Sequence, residues 1–165
     1  MPNVLIFEVA DAVLALPADT VREVLPLPLL WRPPQLPPLI EGFFNLRGRA
    51  AAVLRLDRLL GLAGRGAVFY APLLLLRSGA GGTGEEPLTL LVDRVRDMRT
   101  VAETTLLPVS DQDTFNGCVA AELAETAPPA HLLSLDRLLL EQERRCVVEH
   151  QALARRRASE LGVPA

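Results

Sequence analysis

Large apolar side chains in this chain fall into short, closely spaced blocks rather than at helical intervals, and glycine, proline or charged residues bound the blocks. Residues 4–9 and 12–16 flank Ala10 and Asp11, which predicts a hairpin opening a first lobe. Pro17 ends its second strand, and residues 18–24 are expected as a turn of helix or a bent strand. Residues 39–46 and 50–56 predict a second hairpin, in which Gly48 supplies a backbone able to take positive φ and Arg47 lies at the apolar tip. Blocks at 68–77, 88–93 and 95–101 predict three more strands, with 78–87 as a mobile hairpin tip.

Two segments break this rhythm. Pro26, Pro28, Pro33, Pro34, Pro37 and Pro38 forbid a continuous ladder or helix, so the segment is expected to run as an extended surface strap. Strongly apolar flanks favour a rigid connection between two strands of one lobe over a polyproline ligand. Between Asp136 and Gly162 nothing interrupts a helix, and Leu139, Cys146 and Leu153, with Leu138, Val147 and Ala154, give a partial apolar stripe. Its second half is polar, so residues 149–165 are expected to be dispensable for folding but to serve assembly, self-association included.

The pentapeptide LDRLL occurs at 56–60 and again at 135–139, each time after a strand pair that starts at a glycine, Gly42 or Gly117. Asp57 and Asp136 then fall near helix N-termini, where a carboxylate is favoured. The pattern predicts a mainly β chain of two small barrel-like lobes, each closed by a short helix. The organisation is a domain over 1–140 and a longer helical extension over 141–165.

Composition narrows the chemistry. With 165 residues, half of them hydrophobic, one domain can build a core without disulfide or metal. All 17 basic residues are arginine, which excludes a Schiff-base lysine, a Walker-type phosphate lysine and a lysine general base. A net charge of −3 leaves no footprint for nucleic acid, and the run Arg155, Arg156, Arg157 reads as a solvated helix face. No apolar run reaches about 18 residues, and Glu8 and Asp11 interrupt any leader-like segment, so a cytoplasmic, reduced protein without membrane insertion is expected.

Candidate sites are few. Glycines 79, 81, 82 and 84 resemble a phosphate loop, but Glu85 and Glu86 would repel an anion. Cys146 and His150 have i, i+4 spacing without a visible third ligand, and Cys118 reads as a small buried hydrophobe, so no metal or cofactor is expected. Glu41, Asp57, Asp93 and Asp97 could be drawn into a hydrolytic scheme, though nothing in the sequence converges them. Glu23 and Arg47 both sit amid apolar neighbours, where pairing would offset the cost of a lone charge; they are expected to meet.

Val21, Glu23, Val24, Pro37, Gly42, Asn45, Leu46, Arg47, Gly48, Leu56, Leu60 and Gly61 together resemble the central signature of the CheW-like chemotaxis coupling proteins. The segment LLVDRVRDM at 90–98 and the strands and helix start near 115–119 and 132–139 are similar to later parts of that family. Ala52 stands where the family usually has proline, Leu90 where glycine is common, and Trp31 and Arg32 enlarge the strap. The resemblance implies two SH3-like five-stranded β-barrel lobes around a shared core, no catalysis and no cofactor. It implies partner contacts at Glu23, Val24, Asn45, Arg47 and Gly48, with structural turns at Gly42 and Gly61. The implied partners are the regulatory domain of a CheA-type histidine kinase and the cytoplasmic tip of a chemoreceptor, with recruitment to membrane receptor arrays. A small-ligand-binding or hydrolytic domain on the same scaffold is the competing reading.

Overall fold

β1 (Asn3–Val9) and β2 (Ala12–Pro17) pair antiparallel with Val9 opposite Ala12. Their two-residue turn puts Ala10 and Asp11 at φ of 47° and 71°, as a type I′ hairpin requires. β1 is buried on both faces because its alternate side chains enter different clusters. Leu5, Phe7 and Val9 join the main core, whereas Val4 and Ile6 join a smaller one with Val13, Ala15, Leu123 and Ala130. The computed structural model describes residues 3–62, 71–77, 87–101, 106–108, 119–123, 129–138 and 141–161. Cys118 and the glycines at 79, 81, 82 and 84 lie outside them.

A 3-10 turn (Ala18–Thr20) leads into β3 (Val21–Leu25), the strap, then the hairpin of β4 (Ile40–Leu46) and β5 (Arg49–Arg55) and a helix α1 (Leu56–Leu59). Next come β6 (Leu73–Leu76), β7 (Leu88–Leu91), β8 (Arg94–Thr100), β9 (Leu106–Pro108), β10 (Val119–Leu123) and β11 (Ala130–Leu133). Helices α2 (Leu135–Leu138) and α3 (Glu141–Leu161) close the described chain.

The strands make two sheets, ordered β8-β1-β2-β11-β10-β9 and β3-β6-β7-β5-β4. The class is mainly β with two sheets, short helices and a longer C-terminal helix. Two details depart from the sequence reading. One sheet holds six strands rather than five, and neither closes into a barrel through the described pairings. The N-terminal hairpin belongs with the C-terminal strands, not with the lobe that follows it, because β2 pairs parallel with β11 and β1 with β8.

The LDRL echo has a structural counterpart. α1 follows the β4-β5 hairpin and α2 follows the β10-β11 hairpin, and β5 and β11 each pair parallel with a strand outside their hairpin, β7 and β2. Leu56, Leu59, Leu135 and Leu138 all enter the main core, which lies between the sheets.

The strap is fastened to β4. Trp31 and Phe43 exchange two backbone hydrogen bonds of 2.7 and 2.9 Å, and their rings stack tilted with centroids 6.2 Å apart. Gly42, expected at a turn, lies instead within β4 where the strap crosses closely. A Cβ there would stand 3.1 Å from both Leu30 Cβ and the Trp31 carbonyl oxygen. Gly61 has φ of 68° and ends α1, with Gly61 N–H donating to Arg58 O and Leu62 N–H to Asp57 O, the Schellman pairing.

Part of the segment expected to be dispensable for folding, residues 149–165, packs on the rest of the fold. Val147, Gln151 and Ala154, at i, i+4 and i+7, are buried, and the helix lies against β5. Val147 and Ala154 are members of the expected stripe, and between them sits a polar residue outside it: Gln151 is only 2% exposed, and its Nε2 donates to the Pro87 carbonyl at 3.2 Å. Leu153, assigned to the stripe, is 40% exposed.

Candidate partner-binding surface

The tip of the β4-β5 hairpin is a two-residue turn with Leu46 opposite Arg49. Arg47 and Gly48 take φ of 51° and 88°, and Asn45 Oδ1 accepts the Gly48 N–H at 2.9 Å. Asparagine or glycine occupies the first of these positions at least cost, whereas arginine there costs roughly 1 kcal/mol. The hairpin thus holds an exposed arginine in a conformation its side chain does not favour.

Around this tip lies an open depression of about 250 Å³ lined by Arg22, Arg47 and Arg49 together with Leu46, Leu75, Leu76 and Pro87. The arginines are exposed and Leu75 and Leu76 buried, so cations rim an apolar base. Arg22 arrives there through a bulge: Val21 pairs with Leu76 and Glu23 with Leu75, which leaves Arg22 as the extra residue of β3. A bulge re-aims a side chain, and here the added one is cationic. Arg22 lies outside the sequence-expected site because an unpaired extra residue leaves no periodic trace; Arg49, the strand residue that follows the turn, lies outside it too.

Glu23 and Arg47 do not form the expected buried pair. Both are exposed, and no ion pair joins them among the described residues. Water already solvates each charge, so the cost that motivated the pairing is absent. Val24, 44% exposed on the edge strand β3, remains available at the surface.

The partly buried charges sit elsewhere. Arg55 meets Asp57 through two hydrogen bonds, Nε to Oδ1 at 3.2 Å and Nη2 to Oδ2 at 2.8 Å, with side-chain exposures of 18% and 11%. Glu41 lies 3.6 Å from Arg55 and also accepts from Arg32 Nη2 at 3.1 Å, so the network ties the strap to the β5-α1 junction. The Asp57 hydrogen bond raises the Arg55 pKa above its usual value against the opposing effect of burial, and the charges of Asp57, Glu41 and Asp93 add to the rise. Two of the four carboxylates considered for hydrolysis, Glu41 and Asp57, therefore contact the Arg55 guanidinium, and Asp93 acts on it through its charge. Asp93 Oδ2 also accepts the Ala10 N–H at 2.8 Å in the β1-β2 turn, and Asp97 pairs with Arg99 on β8.

Cys146 Sγ and His150 Nδ1 lie 3.7 Å apart on α3, while His150 Nδ1 is also 2.9 Å from the Cys146 carbonyl oxygen. Burial, then the charges of Glu149 and Glu143, push the Cys146 thiol up from its ordinary range. Among the described residues no three His, Cys, Asp or Glu side chains form a metal-binding group, and no helix is long and apolar enough to cross a membrane.

Comparison with known proteins agrees with this architecture. Among curated proteins none matches the chain. The crystal structure of the scaffolding protein TtCheW from Thermoanaerobacter tengcongensis is similar in fold, with a TM-score of 0.72 and 23% identity, covering 85% of this chain and 89% of that one. The model of the CheW-like domain matches residues 3–143. A two-sheet β fold with a hairpin that carries N-L-R-G at its tip, matched by that model over most of its length, places this chain in the CheW-like domain family.

Proposed function

We propose that this chain is a non-catalytic adaptor that couples chemoreceptors to a CheA-type histidine kinase. The observation that carries the reading is the strained, exposed Arg47 at a hairpin tip: the turn holds at some cost in stability a cation whose side chain makes no ion pair among the described residues. Membership of a family of coupling scaffolds supplies the class of partner. Arg47 and Gly48 at the tip, Asn45 bracing it and Glu23 with Val24 on the edge of β3 make up the proposed contact surface, with the kinase's regulatory domain and the receptor's cytoplasmic tip as its two clients. Recruitment to receptor arrays at the membrane follows from the second client.

Purified chain measured by biolayer interferometry against the kinase regulatory domain and the receptor cytoplasmic fragment of the same organism tests the proposal. Saturable binding to both is expected, and loss of either upon Arg47→Ala with an unchanged fold supports the site. Binding to neither domain overturns the adaptor reading.

A further inference from the structure

We propose that the depression rimmed by Arg22, Arg47 and Arg49 docks an acidic polypeptide segment of a partner protein, one that sets a leucine- or phenylalanine-sized side chain between flanking carboxylates. The inference rests on the adaptor reading and adds the chemistry of the segment that is recognised.

Three observations converge. The rim carries three guanidiniums and, among the described residues, no carboxylate lines the depression. Guanidinium forks take carboxylates in pairs of hydrogen bonds, and they do so most strongly beside apolar surface that excludes water. The base supplies that surface: Leu75 and Leu76 are each 3% exposed, with the partly exposed Leu46 and Pro87 above them.

Two separate backbone irregularities bring the cations there. A left-handed turn residue presents Arg47 and a strand bulge presents Arg22, and the two lie on different strands of one sheet. Each departs from regular geometry at some cost, and both aim at one depression.

Charge distribution sharpens the choice of occupant. The whole chain carries −3, so an acidic partner gains nothing from the overall charge and is selected locally by this cluster. Three cations on an acidic chain are too few for a nucleic-acid track. At about 250 Å³ the open depression falls below the ~300 to 1,000 Å³ usual for small-molecule sites. One bulky side chain with its neighbouring carboxylates fits it better.

Two arms test this. In the first, Arg22→Glu and Arg49→Glu are compared with Arg99→Glu, a control on β8, for binding to the kinase regulatory domain and the receptor fragment. We expect the first two to weaken one partner at least about tenfold and the control to leave it unchanged. Wild-type affinity should also fall as sodium chloride rises from about 50 to about 500 mM. Wild-type binding that resists both charge reversals overturns the docking site while leaving the adaptor reading intact.

In the second arm, a helical peptide of about 20 residues with glutamates flanking a central leucine is titrated into isotope-labelled full-length chain, beside its glutamine counterpart. Amide shifts at Leu46, Arg47, Gly48, Leu75 and Leu76 with the glutamate peptide only are expected. This outcome upholds the site even if neither signalling domain binds. Equal shifts from the glutamine peptide, no shifts at these amides, or equal shifts from inorganic phosphate alone overturn it.

Discussion

Gln151 on α3 donates its Nε2 hydrogen to the carbonyl oxygen of Pro87, the residue that precedes β7 and lines the arginine-rimmed depression. The same carbonyl accepts the Ala52 N–H of β5 at 3.2 Å, so one oxygen joins the C-terminal helix, the central hairpin and β7. Truncation after His150 removes Gln151 and Ala154 from the packed face, and a stability loss of about 2–4 kcal/mol is expected. Gln151→Ala alone should cost about 1–2 kcal/mol. Urea unfolding of both variants measures this, and a truncated chain that unfolds at the wild-type midpoint would show that the helix is a tail.

Arg47→Asn restores the preferred first residue of a type I′ turn. Stability should rise by about 0.5–1 kcal/mol while partner affinity falls. Thermal melts together with interferometry give both quantities. A variant less stable than wild type would mean that the arginine side chain contributes packing that offsets its backbone strain.

Gly42 and Gly61 are required for different reasons, and substitutions separate them. Gly42→Ala should cost about 1–3 kcal/mol because the new Cβ must push the strap backbone at Trp31. Gly61→Ala should cost about 1 kcal/mol, since its Cβ meets nothing within 4 Å and only the positive φ is strained. Asparagine at 61 should recover part of that loss, whereas asparagine at 42 should be worse than alanine. The opposite order in denaturant midpoints would exchange the two assignments.

Double-mutant cycles distinguish the ion pair that forms from the one that does not. Arg55→Ala and Asp57→Ala should each cost about 1–3 kcal/mol and couple by more than about 0.5 kcal/mol, since their forked contact is largely shielded from water. Glu23→Ala and Arg47→Ala should add within about 0.5 kcal/mol. Strong coupling in the second cycle would bring Glu23 and Arg47 into contact after all.

Cys146 should alkylate with a pH midpoint above that of an ordinary thiol, followed at this residue by peptide mapping, because burial and the charges of Glu149 and Glu143 disfavour the thiolate. The folded pKa lies above the unfolded one. The contribution to stability is therefore fully present below the unfolded thiol's pKa and is lost as pH rises through the folded one. A midpoint at or below the ordinary value would contradict the burial of this side of α3.

The short apolar blocks, the turn residues Ala10-Asp11 and Arg47-Gly48, and the LDRLL echo suffice to predict a mainly β chain of two lobes with hairpins at 4–16 and 39–56. They suffice because alternation, turn geometry and helix ends are local properties, decided within a few residues by sterics and hydrogen bonding. Asp57 near a helix start and the strap as a link between two strands of one lobe are legible for the same reason, and those strands, β3 and β4, share one sheet. Tertiary structure alone decided which sheet receives the N-terminal hairpin, since the parallel contact of β2 with β11 spans over a hundred residues and leaves no periodic mark in either strand. It also decided that Arg22, not Glu23, shares a surface with Arg47, because a single bulge reverses which side chain of β3 faces the depression. Gln151 shows the same limit from the side of burial: a polar residue enters a packed face only when a specific partner waits there. The Pro87 carbonyl that receives it lies 64 residues away in sequence and becomes a neighbour only once the chain is folded.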